Sequence, residues 1–185
     1  MSRMTVNVSP VESDLDPRTP LVYALREAMN LTGTKCCGGG DCLGVCMVLV
    51  DGVALRSGRI TLAEAEGRVI TTIEGISSDR SHPMQQAMVA EQAIQSGYST
   101  PGQVIAGAAL LRRNANPSKQ DIIEALDEVM CRDGTYPRLV RVVELASRIM
   151  RRREAVSAAP PSGISAKDAA AAVPALSVPS DPVSE

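Results

Sequence analysis

Four of the chain's five cysteines, Cys36, Cys37, Cys42 and Cys46, stand within eleven residues of one another, interleaved with Gly38, Gly39, Gly40 and Gly44. Thiolates at this density are soft ligands for zinc or an iron–sulfur cluster, and glycines let a backbone wrap closely enough to aim its N–H groups at cluster sulfurs. A [2Fe–2S] centre of the plant type takes three cysteines from a Cys-x4-Cys-x2-Cys loop and a fourth from further along. Here the loop reads Cys37-x4-Cys42-x3-Cys46, which matches the first interval and exceeds the second by one residue. Zinc remains an alternative, although the single His82 lies far from the loop and adjacent Cys36-Cys37 strain a tetrahedral site. The plain alternative is four small buried hydrophobes.

The elements that must hold this loop follow from local pattern. Met4–Ser9 and Val11–Leu15 read as a short ribbon. Thr19 then reads as an N-cap with Pro20 in the first helical position, and Leu21, Val22, Leu25, Ala28 and Met29 make one apolar face leading into the cysteines. After them, 47–50 and 53–55 flank Asp51-Gly52, the dipeptide suited to the positive φ angles of a two-residue hairpin turn. Val69–Ile73 supplies a further strand, and β signals end near Ser77. From Pro83 onward the pattern is helical: Met84–Ile94, Thr100–Arg113, Asn116–Leu126 and Tyr136–Arg152. Past Glu154 the chain turns to Ala, Pro and Ser, a composition that does not offset its ordering entropy.

Composition narrows the possible partners. The 185 residues are 44% hydrophobic but contain three tyrosines and neither Phe nor Trp, so the core is built from aliphatic side chains and Met. A formal charge of −2 and the lack of stacking platforms argue against nucleic acid. Arg151-Arg152-Arg153 closes a helix, where cations offset the dipole. No stretch approaches a membrane span and the first ten residues lack a secretory pattern, so the cytoplasm is the expected compartment.

From Thr19 to Val143 the chain resembles the small subunit of the xanthine dehydrogenase, aldehyde oxidase and aerobic carbon monoxide dehydrogenase family, the molybdenum hydroxylases. The resemblance rests on Leu25-Arg26-Glu27, 31–35 (Leu-Thr-Gly-Thr-Lys), 48–52 (Val-Leu-Val-Asp-Gly), Thr72-Ile73-Glu74-Gly75, His82-Pro83-Met84-Gln85, 95–102 (Gln-Ser-Gly-Tyr-Ser-Thr-Pro-Gly) and Asn116-Pro117-Ser118. It implies an α+β chain: a β-grasp ferredoxin-like domain over 1–77, a four-helix [2Fe–2S]-type domain over 78–153, and a disordered tail over 154–185. The partners it implies are a large molybdopterin-binding subunit plus a medium FAD-binding subunit. Electrons would pass from molybdenum through the small subunit's clusters to flavin. Gln95 stands where the family's glutamine touches the pterin, although a surface amide explains it equally well.

Departures from the family pattern fall on the cluster ligands. The resemblance puts cysteines three, eight and eleven residues after the lysine, whereas here they follow Lys35 by two, seven and eleven. The fourth ligand of that cluster falls on Gly58, which has no side chain. In the helical domain the expected Cys-Gly-Tyr-Cys is Ser96-Gly97-Tyr98-Ser99, and Cys-Arg-Cys is Cys131-Arg132-Asp133. The expectation is therefore a relay subunit with at most one altered [2Fe–2S] cluster, ligated by Cys37, Cys42 and Cys46 with Cys36 or water completing the set. Its alternatives are a cluster-free structural subunit, including one of an enzyme doing non-redox chemistry such as hydration, and a non-catalytic assembly paralogue. Tyr98 and His82 read as packing or capping residues.

Overall fold

Asn7 and Val8 both take positive φ angles, 48° and 67°, and this left-handed pair closes the first hairpin. The hairpin joins β1 (Ser2–Val6) to antiparallel β2 (Ser9–Ser13). Both strands therefore lie about two residues N-terminal of the expected ribbon, because the turn falls on Asn7-Val8 rather than at Pro10. We describe the chain from a computed structural model covering residues 1–36, 43–77, 79 and 81–151. The expected tail over 154–185 lies outside the described residues.

Asp51 and Gly52, with φ of 49° and 84°, make the predicted tight turn between β3 (Met47–Val50) and β4 (Val53–Arg56). With β5 (Val69–Thr71), the strands form one mixed sheet in the order β2-β1-β5-β3-β4. The parallel pair is β1 with β5, Val6 lying opposite Ile70, while β3 runs antiparallel to β5.

The helix that covers this sheet departs from expectation. Pro20 stays extended and bridges Thr61, so α1 begins at Leu21. After Tyr23 the helix widens into a π turn over Ala24–Ala28, closed by Met29 N–H donating to the Ala24 carbonyl at 3.0 Å. The wider turn leaves Ala28 exposed while Leu21, Ala24 and Leu25 are buried on Met4, Val6, Val48, Val50 and Ile70.

The second half is helical. The α2 helix (Pro83–Ala90) is capped by His82, whose Nδ1 accepts from Met84 N–H at 3.2 Å. It stops short of the expected Ile94 because Gln92 turns to a φ of 48°. Beyond it lie α3 (Thr100–Arg113), α4 (Lys119–Asp127) and α5 (Tyr136–Met150). A reciprocal capping box between Ser118 and Asp121 starts α4 two residues after Pro117. Met84, Met88, Leu111, Ile122, Leu139 and Val142 fill their shared core. The absence of large aromatics is met by Leu, Ile, Val, Ala and Met side chains, as composition required.

β3 joins the two cores. All four of its residues are buried: Val48 and Val50 face the α1 side, while Met47 and Leu49 pack with Ile105 and Ala106 of α3 and with Val129. The architecture is α+β, with the sheet and the helices sharing that strand. No helix among the described residues is long and apolar enough to cross a membrane.

Candidate metal centres

The first centre is built where α1 ends. Arg26 donates from Nη1 to the carbonyls of Thr32 and Thr34, both at 2.9 Å, and Lys35 Nζ caps the Thr32 carbonyl at the same distance. Gly33 N–H donates to Glu74 Oε1 at 2.8 Å, which anchors the loop to the turn after β5. The returning end is held by Lys35 N–H on the Val45 carbonyl, 3.4 Å. These contacts use residues of the 25–27, 31–35 and 72–75 motifs.

Within that frame the Cys46 side chain is fully buried against Val22, with half-buried Cys36 packed beside it. Cys37 and Cys42 lie outside the described residues. Near Cys46, the Ser57 hydroxyl and N–H both donate to the Cys46 carbonyl, at 2.6 and 3.1 Å. Gly58 follows in a 3-10 turn over Ser57–Arg59. A buried hydroxyl at Thr34 has no hydrogen-bond partner among the described residues.

The second centre lies between the loop preceding α3 and the loop joining α4 to α5. Ser96, Ser99, Cys131 and Asp133 converge there, and they are paired with one another. Ser96 donates to Asp133 Oδ2 from its hydroxyl at 2.6 Å and from its N–H at 3.1 Å. The Ser99 hydroxyl donates to Cys131 Sγ at 3.0 Å. Tyr136 fixes the cysteine backbone, its hydroxyl accepting from Cys131 N–H at 2.7 Å.

The charges follow from these bonds. The Ser96 donors hold the Asp133 carboxyl below its ordinary range. Burial pushes the Cys131 thiol up, but donation from Ser99, from the Asp133 N–H and from side chains around it outweighs burial and leaves the thiol below its usual value. Gln103 contributes to that field: it is only 2% exposed and lies beside the thiol, with its Nε2 outside hydrogen-bonding geometry to any described partner. Gln103, Thr135 and Tyr136 carry no signal in a ligand-spacing search, because they act on Cys131 rather than on a metal.

Three contacts tie the centres together. Tyr98, from the 95–102 motif, donates its hydroxyl to the Cys36 carbonyl, so it is a link between loops rather than packing. Met130 N–H donates to the Leu43 carbonyl at 2.8 Å. Gly102 meets the Gly44 backbone so closely that a Cβ there would lie 2.5 Å from the Gly44 oxygen. Gln95 is exposed, in the loop leading to α3.

The sequence and the fold of this chain are similar to those of known proteins. Residues 72–144 match the family model described as a [2Fe-2S] binding domain. The chain is 44% identical over 151 residues to one of the subunits of nicotinate dehydrogenase from Pseudomonas putida, covering 80% of this chain and 96% of that protein. It belongs to the small iron–sulfur subunits of the molybdenum hydroxylases. Quinoline 2-oxidoreductase from Pseudomonas putida superposes with a TM-score of 0.75 at 32% identity, over 83% of this chain and 97% of that one. The aldehyde oxidoreductase from Desulfovibrio desulfuricans gives 0.77 at 35% identity, this chain spanning 17% of its length.

The two centres of this small subunit suit a [2Fe–2S] group unequally. The loop over 36–46 offers four thiols, with Cys46 buried and half-buried Cys36 packed beside it, which is the donor chemistry iron–sulfur clusters use. The helical centre offers two hydroxyls, a carboxylate and one thiol, already satisfied by each other. Neutral serine hydroxyls are poor ligands for iron beside thiolates, so this donor set does not fit.

Proposed function

We propose that the chain is the small subunit of a heteromeric molybdenum hydroxylase and relays electrons through one altered [2Fe–2S] cluster held in the 36–46 loop. Family membership together with the retained thiols of that loop carries the reading. In it, residues 1–77 form the ferredoxin-like domain, 78–153 the helical domain and 154–185 a tail. Cys37, Cys42 and Cys46 ligate the cluster, and Cys36 completes the set in place of the ligand lost at Gly58. When bound, such a cluster takes up and releases single electrons.

The chain's own residues hold and shield that group. Arg26 and Lys35 fix the carbonyls of the approach, Val22 excludes water from the Cys46 sulfur, and Tyr98 pins the Cys36 carbonyl from the helical side. The partners in this reading are a large molybdopterin-binding subunit, which Gln95 touches from its exposed loop, and a medium FAD-binding subunit that receives the electrons in the cytoplasm. In this reading the substrate site lies in the large subunit.

The test is co-expression with the two partner subunits, followed by iron analysis and a visible spectrum before and after dithionite. Two co-purifying subunits and an iron–sulfur absorbance that bleaches on reduction are expected, both retained in Gln95→Ala but the absorbance lost in Cys42→Ser. A colourless, iron-free complex would overturn the relay.

A further inference from the structure

The helical centre is a place where a metal cross-link has been exchanged for side-chain pairs. A [2Fe–2S] group held by four thiolates would fasten the loop before α3 to the loop between α4 and α5. The same two loops are fastened here by Ser96 on Asp133 and by Ser99 on Cys131, at 2.6 and 3.0 Å. Each of the four side chains finds its partner on the opposite loop. The backbone around them keeps sharp turns, with φ of 78° at Gly97 and 68° at Gly134, and the Tyr136 hydroxyl still positions Cys131.

We propose that these two pairs form a metal-free clasp that replaces a cluster. In this clasp three side chains alone, Ser96, Ser99 and Asp133, keep iron out of a backbone still shaped to hold it. Two observations support the exchange. Both pairs are closed, so iron would have to break them and also displace protons from two hydroxyls. Gln103, whose N–H donates to the Ser99 carbonyl at 3.1 Å, is buried with an Nε2 that has no hydrogen-bond partner among the described residues, a donor that a cluster sulfur held by the neighbouring ligand positions would satisfy. The clasp does not depend on the relay reading, since it concerns the helical centre and not the 36–46 loop.

Iron and acid-labile sulfide counts on the full chain test it, with Cys131→Ser and the combined Ser96→Cys, Ser99→Cys, Asp133→Cys variant beside the native sequence. Cys131→Ser is expected to leave the native iron content unchanged. The combined variant should gain about two irons and two sulfides per chain, and adding Cys131→Ser to it should abolish the gain. A loss of about two irons on Cys131→Ser in the native chain overturns the proposal. So does a combined variant that keeps the native circular dichroism and gains no iron. If the combined variant does not fold, the native Cys131→Ser count decides alone. A failed relay would appear instead as iron insensitivity to Cys42→Ser, so the two failures are distinguishable.

Discussion

The two centres have diverged in opposite ways. Set against the pattern that the resemblance implies, the 36–46 loop offers thiols at an altered spacing and its fourth ligand position is a glycine, whereas the helical centre has the expected spacing with other donors. The difference shows what each region must conserve to remain folded. The loop hangs from α1 by backbone bonds that do not involve its sulfurs, so thiols can move along it while Arg26, Lys35 and Glu74 hold the frame. The helical centre joins two loops that are bonded to each other through the expected ligand positions, so replacements there must pair with each other, as Ser96 with Asp133 and Ser99 with Cys131 do.

Core truncations separate the regions most strongly. Leu25→Ala and Leu139→Ala each empty a fully buried position and should each cost about 3 kcal/mol by denaturant unfolding. Their iron readouts should differ. Leu25→Ala loosens the element that carries the 36–46 loop and should lower iron content, whereas Leu139→Ala loosens the support of the clasp and should leave it unchanged. Equal iron loss in both would erase the distinction between the centres.

Joining the regions depends on close backbone approach. Gly44 has a φ of 78°, and a Cβ there would lie 1.9 Å from the Glu128 carbonyl oxygen. Gly44→Ala should therefore destabilise by about 2 kcal/mol, with the midpoint shifted and the loop from 43 to 45 exchanging its amides faster. A wild-type midpoint would mean that the two halves do not meet there.

Tyr98→Phe removes one hydrogen bond between the centres and should cost about 1 kcal/mol, without loss of iron. Loss of iron in this variant would mean that the cluster depends on the Tyr98 bond to the Cys36 carbonyl and not on the thiols and the Arg26 and Lys35 contacts alone.

The smallest expected effect is one of pH. His82 caps α2 through Nδ1, and burial holds its imidazole below the usual histidine value. Its folded pKa is depressed, so the unfolded chain binds the proton first as pH falls. The stability it supports is full above the ordinary value near 6.5. It declines below that and is gone once pH has passed the folded value. His82→Asn should flatten this part of the stability profile, and an unchanged profile would remove His82 from the cap.

Much of this fold is legible in the sequence because its signals are local. Asp51-Gly52 sets a hairpin, Pro83 sets a helix start, and the change of pattern near Ser77 separates sheet from helices, while α4 starts at the Ser118–Asp121 capping box and not at the expected Asn116. What the sequence hides is long-range. The π turn at 24–28 has no signal in the local pattern; it accompanies the burial of Leu21, Ala24 and Leu25 on the sheet and the extended Pro20 bridged to Thr61. The ligand positions of the helical centre are legible from Ser96-Gly97-Tyr98-Ser99 and Cys131-Arg132-Asp133, but their pairing is not, because it joins residues 37 and 32 positions apart. The Tyr98 tie and the placement of Gln103 escape sequence reading for the same reason.

Iron stoichiometry of the anaerobically purified full chain, read together with the electron paramagnetic resonance of its dithionite-reduced form, tests the unequal centres most directly. About two irons per chain and a single reduced [2Fe–2S] signal are expected, both lost in Cys46→Ser. About four irons with two distinct signals would contradict a single retained cluster.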